Sequence, residues 1–218
     1  MLDQKVCSDV MSTAPNIAVS VGTFADYINV VGPKRVGIID QQTARYLDPG
    51  RPAWYSYAAA ETAVRAVLAG ETDLPLARMM AAPPRNMPAH YAEIAAGIRT
   101  FVAQHRTSLV PVGNAAWSAE ELTVNVRQHV GLRVRDAEPL VTFVYLKQLP
   151  LTSDAAKVVC RILEIVSDDV LPGAGVAVLD VRRAKLHRPN RRLNRSKLDR
   201  WLEAEATGYV RHWRSAVA

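Results

Sequence analysis

Residues 122–147 read LTVNVRQHVGLRVRDAEPLVTFVYLK, and the reading of this stretch decides the fold. From Leu122 to Val134 the even positions are apolar (Leu122, Val124, Val126, Val130, Leu132, Val134), with Gln128 the exception. The odd positions carry Thr123, Asn125, Arg127, His129, Gly131, Arg133 and Arg135. A period of two marks a strand with one face in a core. Gln128 and Gly131 interrupt it, which predicts a bulge, a bend, or two strands in place of one. Asp136 to Pro139 reads as a turn. The nearly unbroken apolar run from Leu140 to Lys147 then reads as a central strand covered on both faces.

Upstream of this stretch the period is helical. Thr23 followed by Asp26 approximates a capping pair, and Phe24, Tyr27, Ile28 and Val31 fall on one face. Gly32-Pro33 ends that helix and sets Pro33 in the first turn of a second one running to Leu47. A turn follows at Asp48 to Pro52, then a helix from about Tyr55 to Ala69 stopped by Gly70, and another that begins after Pro88 and runs to about Arg106. The Pro-rich stretch 75–88, with Met79, Met80 and Met87, reads as a connection. Downstream, Thr152, Ser153 or Asp154 caps a helix to about Val166, and VAVLDV at 176–181 is a strand. A last helix starts at about Lys197, with Ser196 and Asp199 as its capping pair and Leu198, Leu202, Ala206, Tyr209 and Trp213 on one stripe. Helices, then strands pairing mostly antiparallel, then helix, strand and helix make an α+β protein of the α/β-sandwich kind. The expected organisation is a leader at 1–20 and one domain at 21–218, helical over 21–106 and sheet-containing over 107–218.

Composition sets outer bounds. The chain has 218 residues, 49% of them apolar and 22% charged, which is the range of a folded domain and far from that of a disordered chain. Two cysteines cannot build a disulfide framework. No secretory pattern opens the sequence and no apolar run is long enough to span a bilayer, so the expected setting is cytoplasmic, with no membrane partner. Of the 27 basic residues 21 are arginine, in keeping with a GC-rich bacterial genome. Where the charge lies therefore carries more than which residue bears it.

The charge lies in one place. Between Val181 and Arg200 stand nine basic residues (Arg182, Arg183, Lys185, Arg188, Arg191, Arg192, Arg195, Lys197 and Arg200) and one acid, Asp199, a local net charge of +8. The whole chain carries +6, so everything outside this segment sums to −2. Such localisation is the footprint of a polyanion-binding surface. Pro189-Asn190 places a turn inside the segment, which reads as a cationic loop leaving a strand. Arg127, Arg133 and Arg135, with His129 between them, share the odd-numbered face of the 122–135 strand and would add a basic sheet face. The alternative for the loop is a solubilising surface whose arginines pair with acids such as Asp168, Asp169, Glu203 and Glu205.

The order helix (89–106), meander (about 110–147), helix (154–166) and strand (176–182) resembles the α-β-β-β-α-β core of the PD-(D/E)XK nuclease superfamily over about half of the chain. The resemblance implies a carboxylate on the second strand and an acid-x-Lys motif on the third, which would hold a divalent cation and activate water. Tyr145-Leu146-Lys147 is the matching stretch. Lys147 fits the pattern; Tyr145 stands at the acid position, and the second strand offers Arg133 and Gly131. The acids within range are Asp136 and Glu138 in the turn and Asp180 in the last strand. HExxH, GxSxG, the P-loop and CxxC are all missing from the sequence.

Three functions follow as expectations. The first is a non-enzymatic or catalytically degenerate nucleic-acid-binding protein that grips phosphate with Arg182, Arg183, Lys185, Arg188, Arg191, Arg192 and Arg195, aided by Arg127, Arg133 and Arg135. It needs no cofactor and no metal. The second is an interaction subunit docking a protein partner or a second copy through its helical half. The third is a metal-dependent nuclease drawing on Asp136, Glu138, Lys147 and Asp180, and it alone requires a divalent cation.

Overall fold

The chain changes sheets between Val126 and His129, at the point where Gln128 breaks the alternation. The computed structural model describes residues 16–48, 57–85, 87–127, 129–135, 137–190 and 192–218. The order begins β1 (Ile17–Ser20), α1 (Val21–Ile28), α2 (Lys34–Leu47), α3 (Ala58–Leu68), α4 (Leu74–Ala81) and α5 (Pro88–Gln104). Next come β2 (Thr107–Val110), β3 (Ala115–Ala119), β4 (Leu122–Val126), β5 (His129–Val134) and β6 (Leu140–Tyr145). Then follow α6 (Ser153–Val170), β7 (Gly175–Asp180), a 3-10 turn at Val181–Arg183, β8 (Lys185–His187) and α7 (Arg195–Val217). The fold is α+β with a C-terminal helix.

β4 belongs to a three-stranded sheet in the order β1-β4-β3, parallel to β1 and antiparallel to β3. β5 belongs to a five-stranded sheet in the order β2-β5-β6-β7-β8. Every pair there is antiparallel except β6–β7, whose parallel register joins Leu140 to Gly175 and Tyr145 to Asp180. A parallel pair needs a crossover, and α6 supplies it. β6 is the middle strand and all six of its residues are buried, as a continuous apolar run requires.

Alternation then assigns the two faces of the larger sheet. Val130, Leu132, Val144 and Leu179 join a core with α3, α4 and α5. Val141, Phe143, Val176 and Val178 join a second core with α6, which also takes in β1, β4, α1 and α7. The helices of the first half thus divide between both faces of the sheet.

Several local expectations are corrected. Residues 17–20, read as leader, form a strand with Ile17 and Val19 buried. Ser20, not Thr23, caps α1, its hydroxyl accepting the Thr23 N–H at 3.1 Å. The Pro-rich connection contains α4, because Pro75 sits in the first turn, where no N–H is needed. Asn194 caps α7 by accepting the Lys197 N–H at 3.0 Å, so that helix starts two residues earlier than Lys197. Thr152 caps α6 as expected, accepting the Ala155 N–H at 3.1 Å. The turn at 48–52 lies outside the described residues beyond Asp48, as do residues 1–15 of the leader.

Two backbone features fix where the basic segment begins. A Cβ on Gly97 of α5 would lie 2.0 Å from the Val181 carbonyl oxygen, so only glycine lets α5 close on the 3-10 turn. Ala184 follows that turn with φ of 49°, the left-handed conformation that brings β8 back along β7.

Candidate nucleic-acid interface

α6 carries two faces. Val158, Val159, Ile162, Leu163 and Val166 are buried in the core, while Ser153, Ala156, Lys157, Cys160, Arg161 and Glu164 recur at helical spacing along a second face that lines a cleft. The opposite wall is β8, at the edge of the sheet, continued by Arg188–Asn190, Leu193 and Arg195 and by Leu198 of α7. Register puts Lys185 opposite Asp180 and His187 opposite Val178, so these two side chains share the α6 side of the sheet and Leu186 faces away into the other core. The cleft holds about 330 Å³. A second cleft of about 430 Å³ adjoins it, reaching Leu140, Ala174, Gly175 and Ser167, and the two share Arg161, Glu164, Arg188, Pro189 and Arg195. Together they form one groove.

The groove is cationic. Lys157, Arg161, Lys185, Arg188 and Arg195 line the first cleft against the single acid Glu164. Arg161 is held in place: Nε donates to Asp199 at 2.5 Å and Nη1 to Glu164 at 3.0 Å, and this pins the start of α7 against α6. Arg195 reaches the same Glu164 at 3.1 Å, and Lys157 pairs with exposed Asp154 at 2.8 Å, a contact worth a fraction of a kcal/mol. Lys185 and Arg188 form no ion pair with any described residue. Burial pushes His187 below the usual imidazole range, and Lys185 adds to that, so the groove wall is neutral there. Burial likewise pushes the Cys160 thiol up to about 12, which rules it out as a thiolate nucleophile at neutral pH.

The nine basic residues of the segment divide sharply. Arg182 is consumed by the fold: its side chain is 3% exposed, and it donates to the Leu146 carbonyl at 2.7 Å, to His90 Nδ1 at 2.9 Å and to the Glu93 carboxylate. Arg183 pairs with buried Asp180 at 3.1 Å and donates to the Gln148 carbonyl at 2.7 Å. Lys185, Arg188, Arg192, Lys197 and Arg200 are exposed and form no ion pair with a described residue. Arg191 lies outside the described residues. The acids named as alternative partners do not serve: those that pair with the segment are Glu93, Asp180 and Glu164, while Glu205 is taken by Arg35 and the Trp201 indole.

The basic sheet face does not form as expected, because the chain switches sheets within it. Arg127 lies in the link between β4 and β5. His129 is buried, its Nε2–H donating to the Gly113 carbonyl at 2.7 Å. Arg135 turns away after β5 with φ of 57°. Arg133 is exposed on β5, three strands from β8, roughly 14 Å across the sheet.

The acids of the nuclease reading are also separated. Glu138 precedes β6 at one end of the sheet and Asp180 ends β7 at the other, the length of a six-residue strand apart, roughly 17 Å. Asp136 lies outside the described residues. Lys147 is committed to an ion pair with Asp26 of α1, whose carboxyl is raised by burial against the opposing pull of that lysine. At the acid position the Tyr145 hydroxyl donates to the Leu149 carbonyl at 2.7 Å. This donor set does not fit a divalent cation, and among the described residues no three His, Cys, Asp or Glu side chains gather where one could be held.

The residues that sequence reasoning missed are Lys157, Arg161 and Glu164. The signal was present in the 3.6-residue recurrence of polar and small residues on the back of an apolar helix, but nothing in sequence tells which element such a face opposes. Fold and site define the class only in structural terms, an α+β protein with a cationic groove between a crossover helix and a sheet edge. Compared with known proteins, the chain matches no protein-family model and no curated protein.

Proposed function

We propose that this protein binds nucleic acid by its phosphate backbone, through the open part of the basic segment and without catalysing its cleavage. The observation that carries the reading is that five exposed cations, Lys185, Arg188, Arg192, Lys197 and Arg200, form no ion pair with a described residue, whereas Arg182, Arg183 and Arg195 do. A solubilising loop would not need Lys185 and Arg188 to line a groove to which α6 adds Lys157. The α-β-β-β-α-β order also supports the nuclease-like resemblance: with the β3–β4 hairpin set aside, α5, β2, β5, β6, α6 and β7 follow that sequence. The resemblance bears on architecture alone, since fold does not carry chemistry. Fluorescence anisotropy with labelled DNA and RNA at about 50 mM salt tests the reading, with five phosphate contacts predicting a log-log salt slope of about −4.5 on duplex DNA. Absence of binding to either nucleic acid would overturn it. The interaction-subunit reading rests on Val31, Val36 and Leu47, which stay exposed in the helical half. Concentration-independent monomer mass in sedimentation would remove the self-association it predicts.

A further inference from the structure

The groove is concave, and its cations stand on both walls. Lys157 comes from α6, Lys185 from β8, and Arg188 and Arg195 from the residues that follow β8. Only a ligand lying between the walls can touch all four. The groove follows α6 from Ser153 to Ser167, fourteen residues or roughly 20 Å of helix. Its first cleft, at about 330 Å³, is the size of a small-ligand site, with room for one phosphate and one base but not for paired strands. Proteins that read duplex DNA do the reverse and push a convex helix or ribbon into a groove of the nucleic acid.

Chemistry along the groove fits the same ligand. Leu193 and Leu198 are half-buried and give a small apolar contact on one wall, and the cations give positions for the phosphates of a backbone that tracks a charged groove. Glu164, shared by Arg161 and Arg195, lines both clefts and is the only carboxylate among the residues that do. It occupies, as an internal anion, the place where a phosphate would pair with Arg195.

We propose that the groove is a single-strand channel, in which one nucleic-acid strand passes between α6 and the β8 side with its phosphates on Lys157, Lys185, Arg188 and Arg195, and Glu164 weakens its hold. This deepens the nucleic-acid reading and rests on it.

The test uses the full chain and three labelled twelve-nucleotide probes of one mixed sequence: a DNA strand, the same strand as RNA, and the DNA annealed to its complement. Single strands bind at least about tenfold tighter than the duplex, with a salt slope of about −3 for four contacts. Lys157→Glu on one wall and Arg188→Glu on the other each weaken single-strand binding about tenfold, and Glu164→Gln tightens it about threefold. Thermal melts of the three variants confirm that each is folded. Equal or tighter duplex binding, or loss with Arg188→Glu but none with Lys157→Glu, overturns the channel and leaves nucleic-acid binding by the outer loop standing. Failure of all three probes to bind overturns the nucleic-acid reading itself.

Discussion

Residues 181–183 and 185–200 belong to one basic run in the sequence, yet the fold treats them as opposites. The first part is structural: Arg182 is buried among Leu146, His90 and Glu93, and Arg183 is locked to Asp180 and Gln148. The second part is open, with Lys185, Arg188 and Arg192 exposed and unpaired among the described residues. The border is Ala184, where the left-handed residue turns the chain from the closed end of β7 to the sheet edge. A local charge of +8 is therefore not a surface charge of +8. Counting charge in a sequence finds the segment; only partners decide which part of it faces a ligand.

Substitutions sharpen or break this division, starting with the largest effect. Gly97→Ala drives a methyl into the Val181 carbonyl and displaces the 181–183 turn, destabilising the protein by about 4 kcal/mol in denaturant unfolding. A loss under 1 kcal/mol would mean that the close approach is not rigid. Arg182→Ala removes a guanidinium whose absence leaves the Leu146 carbonyl without its donor, and lowers stability by roughly 3 kcal/mol while leaving nucleic-acid affinity of the folded fraction unchanged. The opposite pattern, a stable protein with weakened binding, would put Arg182 on the open side of the border.

Smaller effects concern the border itself. His187 is held neutral by burial, so the stability it contributes is present above about pH 6.5 and declines as pH falls toward its lowered native value, because only the unfolded chain then takes up the proton readily. Melting temperatures recorded from about pH 7.5 to 5.5 fall for the wild type and fall less for His187→Gln, with buried His129 supplying the remainder in both. Ala184→Gly relieves the left-handed strain and stabilises by about 0.5 kcal/mol, net of the entropy glycine loses on folding.

Much of the fold was legible because it obeys short-range rules. The apolar run 140–145 read as a central strand and is one, while the break at Gln128 left a bulge, a bend or two strands open, of which the chain takes two strands. What the break could not announce was that the two strands enter different sheets, since period-two alternation is the same in either. That one ambiguity created the supposed basic face of Arg127, His129, Arg133 and Arg135. α4 was hidden by Pro75, which sits where a helix tolerates it, and by the prolines that follow the helix. At the site, the basic segment was visible and its partition was not. Glu93 lies 89 residues from Arg182 along the chain, and Glu164 lies 31 from Arg195; local pattern says nothing of pairs at that range.

The central claim is that the open half of the segment holds phosphate and the closed half holds the fold. Its most direct test is the salt dependence of nucleic-acid affinity for the wild type, Lys185→Ala with Arg188→Ala, and the folded fraction of Arg182→Gln, each measured by anisotropy across about 50 to 200 mM salt. The double variant should flatten the log-log slope by about 1.8 on duplex DNA, or about 1.4 on a single strand, while Arg182→Gln leaves it unchanged. A slope that flattens with Arg182→Gln and not with the double variant would contradict the account.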